Sequence, residues 1–311
     1  MRRFPLSRRE REQEAPFVTA AGVLVQVLNG VQYGLLLFLI SSGLTLVFGV
    51  LGVINLAHGS LFMVGAYVTF LVAQAGVGLW LSLPLAVLGG AALGVLLERF
   101  LFRRFYHREH LDQVLLTFAL ILLFEEARSI IAGNGFHGVA VPAWLDVPVP
   151  VAAGFSYSAY RLAVLAACLV VAGLMFWTIE RTKAGAAIRA SAEKPEMVDL
   201  LGMDARRVHM LVFGAGTALA MLAGALAAPL YSVYPGMGDG FLIVSFVVVV
   251  VGGLGSVAGA FWAALLVGLV DTLAKVFVPV GAGAAVYVLM AVVLLVRPAG
   301  LFASSSTGAR A

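Results

Sequence analysis

The chain has 311 residues, 62% of them hydrophobic and only 12% charged, with a mean hydropathy of +1.03 and a formal charge of +4. A soluble domain is nearer a quarter charged, so this is the composition of an integral membrane protein. Long apolar runs without period-2 alternation exclude a β-barrel, and the single cysteine, Cys168, excludes an internal disulfide and a cysteine-cluster metal site.

The opening MRRFPLSRREREQE belongs to a basic polar tail over residues 1–19, with no short apolar run ending at a small-residue cleavage site, so it reads as uncleaved. Apolar segments follow at about 20–49, 61–75, 79–97, 114–132, 162–179, 210–230, 241–251, 257–278 and 284–296. Most approach the roughly twenty residues that cross about 30 Å of hydrocarbon. The pattern predicts an all-α polytopic transmembrane bundle over residues 20–300, with seven to nine spans, discontinuous or re-entrant helices, and a short tail at 301–311.

The first interruption lies in GLTLVFGVLGVINLAHGSLFMVGAY, where Asn55 and His58 sit among Gly49, Gly52 and Gly59 with apolar sequence on both sides. Lipid offers no hydrogen bonds to a freed backbone group, so such a break is tolerated only where it is buried in protein or lines a watery cavity. Discontinuous helices of this kind surround the substrate path of transporters. The break is echoed later in VVVVVGGLGSVAGAFWAALLVG, with Gly252, Gly253, Gly255, Ser256 and Gly259. Two readings stand: Asn55, His58, Gly59, Gly252, Gly253, Gly255 and Ser256 line a substrate path, or the polar groups cap the breaks and the glycines allow close helix packing.

Three basic clusters orient the bundle: Arg2 to Arg11, Arg99 to Arg108, and Arg181 to Arg207. Basic residues collect on the cytoplasmic side, which predicts that all three are cytoplasmic and that the loop at 133–160 is external. Three helical segments separate the first two clusters, the wrong parity. Either the Asn55 region adds a re-entrant pass or the tail lies outside.

The longest hydrophilic stretch after the tail, ERTKAGAAIRASAEKPEMVDLLGMDARRVH, reads as a helix near 184–192, a break at Lys194-Pro195, and a second short helix at 196–201 closed by Gly202. A compact helix pair beside the membrane suits docking of a soluble partner; a solvated loop is the plainer reading. Within apolar sequence, Glu125, Glu126 and Arg128 would together offset the insertion energy of about a dozen apolar neighbours, so they pair, face inward or reach the interface. Glu125 and Arg128 are one turn apart, as are Asp271 and Lys275. Glu98 and Arg99 read as interfacial residues of a cytoplasmic loop.

Six motifs in order, GLTL at 43–46, NLAHG at 55–59, GAY at 65–67, the segment from Gly185 to Gly202, GGLGS at 252–256 and RPAGL at 297–301, resemble the permease subunits of bacterial branched-chain amino acid ABC transporters. The resemblance spans about residues 22–303. It implies a multi-pass subunit of the bacterial inner (plasma) membrane, part of an ATP-driven importer of leucine, isoleucine or valine. It further implies that Gly185, Ala187, Arg189, Ala190, Glu193 and Gly202 couple the bundle to the ATPase. The chain has no G-x-x-x-x-G-K-[ST] loop, so it is read as a non-enzyme that binds no cofactor itself, with ATP and Mg on partner subunits. The partners implied are two ATP-binding subunits, a second related permease, an external solute-binding protein and the lipid bilayer, with no nucleic acid. Import of urea, amides or aromatic acids stays open as an alternative, as does an ion-coupled transporter or channel using Glu125, Glu126 and Asp271.

Overall fold

The computed structural model describes residues 20–106, 108–152, 155–193 and 204–302. The helices are α1 (Ala20–Leu51), α2 (His58–Gln74), α3 (Leu79–Phe100), α4 (His110–Ala132), α5 (Ala159–Arg181), α6 (Lys183–Glu193), α7 (Ala205–Ala227), α8 (Met237–Gly252), α9 (Val257–Phe277) and α10 (Ala282–Val296). Among the described residues six segments are long and apolar enough to cross a membrane, built on α1, α3, α5, α7, α9 and α10, while α2 and α8 are shorter apolar helices. At 23 residues α4 is also long enough, but Asp112, Glu125, Glu126 and Arg128 keep it out of that set.

The bundle is organised around α1 and α7, whose apolar windows are 83% and 72% buried, against 17 to 33% for the other four long spans. Small residues make this possible. Lipid tails give two helices no hydrophobic reason to associate, so association depends on close backbone approach. On α1, Gly30 and Gly34 face Gly268 and Ala264 of α9, and a Cβ on Gly34 would stand 2.7 Å from the Ala264 carbonyl oxygen. On α3, Gly90 and Gly94 face Ala218 and Gly214 of α7 in the same four-residue rhythm.

The ends of the helices settle the parity question. The last turns of α1, the short 3-10 turn after α3 and the early part of α7 come together through Val47, Phe102 and Phe213, at the end that carries Arg99, Arg103 and Arg206 and where α6 packs. Basic residues mark that end as cytoplasmic. The start of α1 lies at the opposite end, where Asn29 and Gln32 meet Arg161 near the start of α5. Hence α1 runs from outside inward, opening on the external side and ending at the basic end. The first cluster itself lies outside the described residues.

The external loop at 133–160 is not wholly irregular, a feature the all-helical reading missed. It contains an antiparallel hairpin of β1 (Pro148–Ala152) and β2 (Phe155–Ser158), with Val149 opposite Tyr157. His137 pairs with Val233 across a two-residue bridge, tying this loop to the connection between α7 and α8. Glu98 also departs from expectation. It is buried in the last turn of α3, 1% exposed, and accepts a hydrogen bond from Tyr106 Oη at 3.2 Å.

Candidate translocation path and coupling segment

At the first break α1 ends at Leu51, Gly52 turns with φ of +66°, and α2 restarts at His58. The intervening chain turns back into the bundle, so α2 begins beside the later half of α1. Its freed backbone groups are met locally: Asn55 Oδ1 accepts the Ala57 N–H at 3.1 Å, and the Asn55 carbonyl accepts the His58 N–H at 3.2 Å. His58 Nε2 donates to the Ile40 carbonyl at 3.0 Å, because a carbonyl oxygen can only accept. Asn55 and His58 are each 1% exposed. Around them the backbones touch, since a Cβ on Gly43 would lie 2.6 Å from the Gly216 carbonyl and 3.1 Å from the His58 ring, and one on Gly59 would run into Gly238. The N-terminal turns of the two short helices, α2 and α8, therefore meet inside the protein.

The second break, between α8 and α9, is built on the same plan. Gly253 and Gly255 adopt φ of +99° and +82°, which a side chain would strain. Ser256 caps α9, its Oγ accepting the Gly259 N–H at 3.0 Å. A Cβ on Gly252 would come within 2.6 Å of Gly259, so close packing explains these two glycines. The RPAGL motif finds its role here: the Leu301 and Phe302 N–H groups donate to the carbonyls of Val251 and Gly252 at the end of α8.

The last turns of α1, the second break and the predicted coupling helix line one cavity. A cavity of about 290 Å³ is lined by Thr45 and Gly49 of α1, Glu180 of α5, Arg189 of α6, and Gly255 and Ser256. On its wall, Gly49 and Gly255 are close enough that a Cβ on the first would stand 3.1 Å from the Cα of the second. The α6 span matches the helix predicted from sequence almost residue for residue. It is fastened to α5 by Thr182, whose hydroxyl donates to the Thr178 carbonyl at 2.6 Å and accepts the Gly185 N–H at 3.1 Å, and by Arg189, which donates to the Ile179 carbonyl. Gly185 and Ala187 are buried and Ala190 is partly so, leaving Arg189 exposed. Glu193 closes α6. The Lys194-Pro195 break, the second short helix and Gly202 lie outside the described residues.

The intramembrane charges divide. Glu125 and Arg128 pair at 3.0 Å, and both also hold backbone: Glu125 Oε1 accepts the Gly236 N–H at 3.0 Å, and Arg128 donates to the Gly133 carbonyl at 2.6 Å. Asp271 and Lys275 pair at 2.5 Å. Glu126, by contrast, is exposed on the outward face of α4 with Phe118, Leu122 and Ile130, and has no hydrogen bond or ion pair among the described residues. Sequence reading missed a polar pocket at the external end, where Arg161 Nη1 donates to Asn29 Oδ1 at 3.3 Å and Gln32 Oε1 at 3.1 Å. The signal was present as Gln26, Asn29 and Gln32, three residues apart along an otherwise apolar helix.

A multi-pass bundle with two interrupted helices meeting inside it, and an amphipathic helix packed on α1, α5 and α7 at the basic end, defines a membrane permease. Residues 26–297 match the family described as the permease component of the branched-chain amino acid transport system, and the chain belongs to that family. It is 30% identical over 293 residues to the high-affinity branched-chain amino acid transport system permease protein LivH of Salmonella typhimurium, covering 89% of this chain and 94% of that one. The corresponding protein BraD of Pseudomonas aeruginosa is 31% identical over 298 residues, covering 89% and 95%. The solved structure of PsaBC from Streptococcus pneumoniae in complex with Fab aligns with 86% of this chain and 89% of its own at 12% identity and a TM-score of 0.48. The chain is thus a multi-pass inner-membrane protein of a transport system.

Proposed function

We propose that this chain is the transmembrane permease subunit of an ATP-driven importer that carries leucine, isoleucine and valine inward, with ATP and Mg bound and turned over on separate subunits. The observation that carries this reading is the convergence of Arg189, Gly49, Gly255 and Ser256 on one cavity at the cytoplasmic end. A partner gripping α6 would act on the end of α1, on which α6 packs, and across the cavity on the second break. ATP binding can shift a two-state bundle only through differential affinity for its two packings, and α6, fastened to α5, is the element placed to transmit that preference. The stretches from Asn55 to Gly59 and from Gly252 to Ser256 then form the wall of the path, closed in this conformation by glycine contacts.

The paired state of Glu125 with Arg128 and of Asp271 with Lys275 supports ATP coupling over ion coupling, because a proton carrier must release its counter-charge. The outward face of α4 is where we seat the second permease. An ionised carboxylate at the centre of a lipid-facing helix costs about 2.5 to 3.5 kcal/mol on insertion scales, and a neighbouring chain would relieve Glu126 of that exposure. An external solute-binding protein would deliver the amino acid.

The reading is tested in proteoliposomes holding the complete complex, with labelled L-leucine as cargo. Replacing Arg189 and Glu193 together by alanine should cut ATP-dependent uptake by about tenfold or more and weaken recovery of the ATPase with the permease. Full uptake with normal ATPase recovery would sink the coupling role.

A further inference from the structure

The polar pocket at the external end has chemistry that packing alone does not require. It occupies about 250 Å³ between α1, α5, α8 and α9. It holds three charged residues, and two of them, Asp271 and Lys275, neutralise each other at 2.5 Å. The third, Arg161, forms no salt bridge among the described residues; its neighbours are neutral, the oxygens of Asn29 and Gln32 and the Tyr157 hydroxyl. Gln32 is 1% exposed, and its Nε2 has no hydrogen-bond acceptor. The amide cannot turn to remedy this, because a guanidinium has only donors and needs the amide oxygen facing it. A buried donor left unsatisfied costs about 1 to 3 kcal/mol.

The pocket therefore presents an uncompensated guanidinium and an unpaired amide N–H, side by side, with one net positive charge. The acceptor that satisfies both is a carboxylate, whose two oxygens match the fork geometry of arginine. Its apolar walls are aromatic: Tyr33 and Tyr231 flank Phe241, whose ring lies 6.4 and 5.8 Å from theirs. We infer that this pocket is an external binding subsite for the carboxylate of a small aliphatic amino acid, which docks on Arg161 and Gln32 with its side chain against these rings. Its assignment to the transported amino acid rests on the function proposed above; the carboxylate chemistry rests on the pocket alone.

The probe is a cysteine at Thr272, which lines the pocket, in a chain whose native Cys168 is fully buried. The complete complex carrying Thr272→Cys is placed in lipid nanodiscs and labelled with a charged methanethiosulfonate. L-leucine and 4-methylpentanoate, which keeps the carboxylate but lacks the ammonium, should each slow labelling by about fivefold or more. The amine 3-methylbutylamine, lacking the carboxylate, should leave the rate unchanged. Adding Gln32→Leu should raise the 4-methylpentanoate concentration needed for protection by about tenfold. If that variant does not fold, Gln32→Glu serves instead: its own carboxylate fills the place beside Arg161, so protection should vanish while the unprotected labelling rate is kept. No protection by 4-methylpentanoate, equal protection by the amine, or no labelling without any probe would each overturn the proposal. L-leucine uptake by the same complex in proteoliposomes separates the two readings. Uptake without protection removes the subsite and leaves the permease function, whereas protection by 4-methylpentanoate without uptake keeps the subsite and removes the branched-chain cargo.

Discussion

A Cβ placed on Gly224 of α7 would run into the Phe62 carbonyl of α2, whereas one on Gly173 of α5 would meet nothing within 4 Å. The two glycines look alike in sequence, each within an apolar helix. Their substitution should not be alike. Gly224→Ala forces two packed backbones apart and should destabilise the purified protein by about 1 to 3 kcal/mol, the usual cost of overpacking. Gly173→Ala should leave stability unchanged or raise it by up to about 1 kcal/mol, since alanine is the better helix former. Thermal unfolding in one detergent reads both, and equal effects would contradict the packing described. The comparison also shows where residue-level reading stops. That Asn55 and His58 at membrane depth need partners is visible in the sequence; that His58 finds the Ile40 carbonyl is not, because the meeting depends on how far the chain doubles back after Leu51.

At the scale of elements, helix boundaries were more legible than helix contacts. The stretch around Arg189 showed its helix through composition, and α6 lies where expected. That it faces Gly255 and Ser256 across one cavity was hidden, since those residues lie more than sixty positions away in a run whose only local signal is glycine. The hairpin in the external loop escaped for a related reason: its strands are five and four residues long and include Pro148 and Pro150, which argue against an interior strand. The seat of α6 makes a prediction of its own. A Cβ on Gly185 would press on the carbonyls of Thr178 and Ile179 and lift α6 from α5. Gly185→Ala should therefore lower ATP-driven L-leucine uptake by about tenfold while moving the unfolding temperature little, because the bundle core lies elsewhere. A large fall in stability with uptake per folded molecule unchanged would show that α6 is a structural brace and not a transmitter.

At the scale of the whole molecule, the charge pattern oriented the bundle and left the side of its start open. The second and third clusters agree with the helix ends, and three traverses separate the start of α1 from Arg99: α1 itself, the returning Asn55 segment with α2, and α3. The sum of basic residues is a weaker constraint than the folding back of the chain, which buries the α1 and α2 break against α7 and α8 and leaves α1 no freedom to invert. The arrangement predicts a labelling pattern in intact spheroplasts treated with an impermeant thiol reagent. A cysteine at Asp146, in the loop before β1, should react from outside, and one at Arg104, just past α3, should react only after the membrane is opened. An epitope placed ahead of Ala20 should be reached by antibody without permeabilisation. An epitope reached only after permeabilisation, with Asp146→Cys still reactive from outside, would require one more crossing before α1 than the bundle shows.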